Sequence, residues 1–169
     1  WIFASYAQKL STRDSVKCRR IVESPWYRKN FNKSFKITTD QNEKIRFDND
    51  RGGYRVATSV GGTVTGEGAD KLVVDDPHNV NDAYSELIRQ STIDWWREVM
   101  STRVNDPKTS AKVIIMQRVH EQDLSGHLIE QGDFCHLCLP LKYEGKRYLN
   151  SYGWEDPRKD IGESLWPGR

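Results

Sequence analysis

The feature that most constrains this chain is the run Lys71-Leu-Val-Val-Asp-Asp76. Leu72, Val73 and Val74 leave no polar face, so the segment fits a strand covered on both sides of a sheet. Asp75, Asp76 and Pro77 follow at once, and Pro77 stops the strand. Two carboxylates are thereby fixed where a buried strand leaves the core. A comparable run, Lys112-Val-Ile-Ile-Met-Gln117, is more apolar still and reads as too continuous for a sheet edge. It ends in Gln117-Arg118.

Between and around these runs the pattern alternates. Residues 2–6 read as a strand. Residues 7–23 read as a helix with Ala7, Leu10, Val16, Ile21 and Val22 as its apolar set and Arg13, Lys17 and Arg20 outside; Pro25 closes it. Lys33 to Phe47 is polar, with Phe35–Ile37 and Ile45–Phe47 as short antiparallel edge strands. Asn49–Gly53 is turn chemistry, and 54–60 is a further strand. Gly61–Gly68 is a flexible, glycine-rich loop. A helix over about 83–103 carries Leu87, Ile88, Trp95, Trp96, Val99 and Met100 at helical spacing. Asp106-Pro107 breaks it. Asp123 or Ser125 is placed to cap a short helix reaching about Gln131, and Phe134–Leu141 reads as a last strand. Buried strands alternating with helices predict an α/β fold around a mostly parallel sheet. Its sites belong beyond the C-terminal ends of the strands.

At 169 residues, 36% hydrophobic and 30% charged, the chain suits one domain with a real core. No apolar run approaches the roughly 20 residues of a membrane helix. Residues 1–55 carry a net charge of +7, residues 56–135 carry −6, and residues 136–169 carry +1. A basic first third suits phosphate backbones, and an acidic middle suits a metal. Cys18, Cys135 and Cys138 are an odd, small set that fits a reducing compartment. Cys135 and Cys138 form a lone CxxC; on a strand the two would face opposite ways, which opposes joint chelation. His78, His120, His127 and His136 share no metal spacing and read as structural or capping residues.

The chemistry that fits is nucleotide hydrolysis. It needs magnesium at the terminal phosphates, a carboxylate to hold it and a group to orient water. Asp75 and Asp76 fit the first and second carboxylate roles in that order. Gln117 is a polar sensor from a second strand, and Arg118 reaches a phosphate or a partner subunit. A GxxxxGK[ST] phosphate loop occurs nowhere; Gly61–Gly68 lacks its lysine and its spacing, and reads as a hinge or close-approach loop.

The run from Gly61 through Asp75-Asp76-Pro77, with Ser85, Trp95-Trp96, Ser101-Thr-Arg103 and Val113–Gly126, resembles the large terminase subunit of tailed bacteriophages, the ATP-driven motor and nuclease that packages viral DNA. Residues 2–6 with their following helix, and Gly162–Pro167, extend the resemblance over nearly the whole chain. It implies a P-loop NTPase-like (ASCE) sheet, incomplete at its N-terminus and with short antiparallel additions. Residues 1–141 are then part of the ATPase domain, and residues 142–169 a linker toward a nuclease domain. Asp75 of the Walker B strand is implied to hold Mg2+. Asp76 is implied as the catalytic carboxylate, one methylene shorter than the Glu of many relatives, and Gln117 and Arg118 as the coupling motif. Gln117 is also implied as a nucleotide contact. Thr65 stands where several relatives carry an arginine finger, leaving Arg55, Arg103 and Arg118 as weaker candidates. ATP, double-stranded DNA, the small terminase subunit, the portal and prohead, and other copies of the chain are the implied partners, in the cytoplasm of a bacterial host. Trp1–Ser5 reads as an interior strand, which predicts a piece of something longer that does not turn over ATP alone. Rival readings are a superfamily-2 helicase fragment, a metal nuclease using Asp75, Asp76 and His78, and a non-catalytic DNA- or portal-binding remnant.

Overall fold

The computed structural model describes residues 1–31, 35–146 and 149–168. Lys33 and Ser34 of the expected polar stretch, and residues 147, 148 and 169 of the expected linker, lie outside them. The described chain divides into two compact units, Trp1–Gly126 and His127–Arg169.

The first unit is built on a six-stranded sheet in the order β2-β3-β4-β1-β5-β6. β1 (Ile2–Ser5), β4 (Tyr54–Ser59), β5 (Lys71–Asp75) and β6 (Ala111–Ile115) run parallel. β2 (Ile37–Asn42) and β3 (Arg46–Asn49) add an antiparallel ribbon beside β4. The expected α/β class, mostly parallel sheet and antiparallel additions are therefore present. β1 and β5 sit centrally, and their apolar residues Ile2, Ala4, Leu72, Val73 and Val74 are buried.

The most apolar strand is not where its composition put it. β6 pairs only with β5 and forms a sheet edge among the described residues, with Val113 41% and Ile115 55% exposed. Composition reports what a strand tolerates on its faces; the order of strands in the sheet is a separate, non-local matter.

Helix α1 (Gln8–Glu23) follows β1 and packs by a face of small polar residues, with Ser11 and Ser15 buried. Ile21, expected on the apolar face, is exposed. Short side chains let the helix lie close to the sheet, and Gln8 Nε2 donates to the Ala57 carbonyl of β4 at 3.0 Å. Pro25 ends α1 but also opens a second helix, α2 (Pro25–Phe31), absent from the sequence expectation. Ser24 serves both: its N–H and hydroxyl close α1 on Ile21, and its Oγ accepts from Tyr27 N–H at 3.2 Å. Proline suits the first helical position because its missing N–H has no partner there.

Helix α3 (Glu86–Trp95) runs on through a π-helical turn, Trp96–Met100, and a 3-10 turn, Ser101–Arg103. Its buried stripe is Arg89, Thr92, Ile93, Trp96 and Met100, with Trp95 beside it. Leu87 and Ile88 are exposed, contrary to expectation; in the same first turn it is Arg89 that is buried, so the covered face of the helix is the one that carries Arg89 and Ile93. Helix α4 (Leu124–Gln131) ends the alternation. No described helix is long and apolar enough to cross a membrane.

In the second unit, the expected strand over Phe134–Leu141 is irregular. A strand needs a neighbour to satisfy its ladder, and among the described residues the pairing near here consists of single bridges, Lys142 with Ser164 and Leu149 with Glu155. The unit is organised instead by Arg158. Its guanidinium pairs with Asp156 at 2.6 Å, donates to the carbonyls of Pro140, Leu141 and Glu163, and lies 5.6 Å from the Tyr143 ring centre.

Candidate functional site

Parallel strands bring their C-terminal ends to one sheet edge. Here Ala4 pairs with Val74, and Asp75 with Ile115, so the exits of β1, β5 and β6 stand side by side. Asp76 is the knot. Its N–H donates to Ile115 of β6 at 2.8 Å, and its carbonyl accepts from Tyr6, just past β1, at 3.0 Å. Between those two bonds the backbone turns sharply: Asp76 has φ +45°, the one non-glycine residue with positive φ among the described residues. Aspartate tolerates this region better than most residues, yet such backbone costs on the order of 1 kcal/mol and persists where surroundings hold it. Its carboxylate accepts a long hydrogen bond from Gln117 N–H, 3.4 Å. Asp76 and Gln117, 41 residues apart in sequence, are thus brought together.

Tyr6, Asp76, His78, Asn79, Met116 and Gln117 are among the residues lining a cleft of about 110 Å3 at this edge. That volume holds a hydrated ion or a few waters; small-molecule sites run to roughly 300–1,000 Å3. Asp75, the last residue of β5, is not among the lining residues; its charged neighbours are Asp76 and, from α1, Asp14 and Arg13. Partial burial, then repulsion from Asp76 and Asp14, raises its carboxyl above the ordinary value, with Arg13 opposing. Arg13 and Asp14 come from α1 and pair at 2.9 Å. The helical pattern alone places Arg13 on an outward face and does not mark Asp14, yet both are charged neighbours of Asp75. The signal was available, since α1 starts directly after β1 and its first turns must lie at the strands' C-terminal edge. Asp75 and Asp76 are hard oxygen donors of the kind Mg2+ takes. Among the described residues, no three His, Cys, Asp or Glu side chains are grouped closely enough to form a metal cage.

Arg118 is turned away from the carboxylates. Its Nη2 donates to the Glu121 carbonyl at 2.8 Å, its Nε to His120, and Asp123 lies 3.8 Å off. Arg55 is buried, with Nε and Nη1 lacking hydrogen-bond partners among the described residues, and stacks 3.9 Å over Phe3. Arg103 bonds back to Val99 at 3.1 Å. In this conformation none of the three is presented as an arginine finger. Thr65 lies in the 61–68 loop, which is pinned by Arg46–Glu67 at 2.6 Å and by the Tyr54 hydroxyl on Gly68. The close-approach reading of this loop fits Gly62, whose added Cβ would stand 2.6 Å from Thr58 Oγ1 and 2.9 Å from the Ser59 carbonyl.

The loop carrying Gln117 and Arg118 is fastened by Asp123, which is fully buried. One carboxylate oxygen takes the Val119 and His120 N–H groups, and the other takes Ser125 Oγ and Gly126 N–H, capping α4 as expected. Burial pushes this carboxyl up, but the hydrogen bonds from Ser125, Gly126, His120 and Val119 together win and hold it below its ordinary value. Gly126 is required by proximity: a Cβ there would collide with the Glu121 carbonyl. His78 Nε2 accepts the Leu124 N–H at 3.0 Å, so the ring is a neutral structural acceptor. Burial chiefly lowers its pKa. With Nε2 accepting, the proton of the neutral ring is on Nδ1, so neither nitrogen offers a metal a free lone pair. His120 is also structural, its Nδ1 accepting from Gln122.

Comparison with known protein families and with curated proteins finds no match for this chain.

Proposed function

We propose that this chain is the carboxylate-and-coupling part of an ATP-driven motor that packages viral double-stranded DNA, of the large-terminase type, with a P-loop NTPase-like sheet. The observation that carries the reading is Asp76: a residue of strained backbone at the exit of a buried parallel strand, its carboxylate joined to the N–H of Gln117 just past the neighbouring strand. Asp75 would hold Mg2+, which supplies charge neutralisation at the terminal phosphates. Asp76 would orient the attacking water. Gln117, whose backbone already touches Asp76, is placed to transmit the state of that carboxylate to the loop that Asp123 fastens. Arg118 shares that loop and acts within it, or on a partner subunit after turning outward.

The cleft's small volume supports a half-site. It fits a hydrated ion and leaves the nucleotide's phosphates to be cradled by residues other than these. In the assembled motor those contacts, the small terminase subunit, the portal and neighbouring copies would complete the machine, and the chain alone would be hydrolytically silent. The nuclease rival is disfavoured by the engagement of His78 with Leu124.

The test is magnesium-dependent binding of a fluorescent ATP analogue. Weak binding that needs Mg2+ and is lost in Asp75→Asn is expected. Binding that is indifferent to Mg2+ and to Asp75→Asn overturns the assignment. So does robust ATP turnover by this chain that disappears in Asp76→Asn, because the site would then be complete.

A further inference from the structure

A second concave surface lies on the first unit, built by the end of α1, by α2 and by the start of β2. It is a groove of about 270 Å3 that includes Tyr27, Arg28, Phe31, Phe35 and Lys36 in its lining. The rings form a connected set: Tyr27 to Phe31 at 4.9 Å, Tyr27 to Phe35 at 6.2 Å, and Trp26 edge-on to Phe31 at 5.9 Å. Trp26 is 63% exposed and Phe31 47%. Exposing two large aromatics on a seven-residue helix gives the fold nothing, since α2 has no buried residue.

The surrounding charge is mainly positive, although Glu23 lines the groove and the Asp50 carboxylate accepts from Lys36 N–H at 2.9 Å. Arg20, Arg28, Lys29 and Lys36 are exposed, and none takes part in an ion pair among the described residues. From Lys17 to Lys36, Glu23 is the sole acidic residue. Free cations beside accessible ring faces match a polyanion that also offers flat apolar faces. A duplex buries its base faces and would use only the cations. A single strand presents both phosphate and unstacked base. An apolar protein partner would leave four cations without purpose.

We propose that the α2 groove is a single-stranded nucleic-acid contact, with Phe31 and Trp26 stacking on bases and Arg28, Lys29 and Lys36 meeting phosphates. It stands apart from the nucleotide reading, as it shares no residue with the cleft at Asp76.

The test is fluorescence anisotropy of labelled oligo(dT) of 20 nucleotides with the full chain, against a 20-base-pair duplex and against vesicles of anionic lipid. Oligo(dT) is expected to bind more tightly than the duplex. The affinity should fall with salt at a slope of about −0.7 per phosphate neutralised. Phe31→Ala should weaken binding by about tenfold, at the scale of one lost base stack, and Phe31→Tyr should restore it. Arg28→Glu with Lys29→Glu should flatten the salt slope. Asp76→Asn should change nothing here, which separates failure of this proposal from failure of the nucleotide reading. Unchanged thermal melting of the α2 variants serves as the folding control. Equal affinity for duplex, insensitivity to Phe31→Ala, preference for vesicles, or no binding at low salt each overturns the proposal.

Discussion

At the residue scale, Asp76 carries two duties that different substitutions separate. One is conformational: a backbone with φ +45° held between Ile115 and Tyr6. The other is chemical: a carboxylate against Gln117. Glycine suits the backbone and removes the chemistry; asparagine keeps most of the backbone tolerance; alanine loses both. Thermal melts should therefore rank Asp76→Gly at or above Asp76→Asn, with Asp76→Ala lowest, destabilised by about 1 kcal/mol. Equal melts for all three would mean that the turn is not strained. The carboxylate pair itself was readable from the sequence, because two acids ending an apolar run leave few other placements. The left-handed turn was not, because it arises from hydrogen bonds to residues of β1 and β6 distant in the chain. Arg55 was unreadable in the same way: nothing local marks it as an arginine buried against Phe3.

At the scale of elements, the loop from Gln117 to Asp123 behaves as an extension of α4. Asp123 serves the donors on both sides of itself, so one side chain fixes the helix start and the residues that face the cleft. Asp123→Ala leaves four donors to find other partners in a buried place. It should cost about 2–3 kcal/mol and broaden the NMR signals of Gln117 and Arg118, whereas Ser125→Ala should cost less than half as much. A loop whose signals stay sharp without Asp123 would show that Gly126 and the Arg118 contacts suffice. The capping role was visible in the sequence from the Asp before an apolar run. The α2 helix is hidden in the sequence because a proline suits a first helical turn as well as it marks a stop, and Pro25 does both. The exposed positions of Leu87 and Ile88 beside the buried Arg89 show the limit of periodicity: it marks apolar spacing, and which face is covered is decided by elements elsewhere in the chain.

At the scale of the molecule, acid should loosen the first unit before it touches most carboxylates. His78 has its pKa lowered by burial, with Asp123 opposing and Arg89 reinforcing. The folded state thus binds fewer protons at this ring than the unfolded chain does. Stability is full above the unfolded value of about 6.5 and falls as pH drops toward the lowered folded value. The melting temperature should decline between pH 7 and 5, and His78→Gln, which keeps an acceptor but does not titrate, should remove part of that decline. An unchanged pH profile in the variant would place the acid sensitivity elsewhere. Below that window Asp123, whose pKa is lowered, adds its own loss as the pH falls below the ordinary carboxylate value toward its lowered one. The α/β class and the parallel core were legible because strand and helix periods alternate cleanly; the edge position of β6 was not, because strand order is decided between segments rather than within them. That open edge has a consequence for isotope exchange. Ala111 N–H bonds Asp70, and the Ile115 carbonyl receives Asp76, so the odd-numbered residues of β6 turn their backbone groups toward β5. Lys112 and Ile114 turn theirs outward. In deuterated water the amides of Lys112 and Ile114 should label early while those of Val113 and Ile115 stay protonated, an alternating record along five residues. A segment that later pairs with this edge would announce itself by silencing the fast two first.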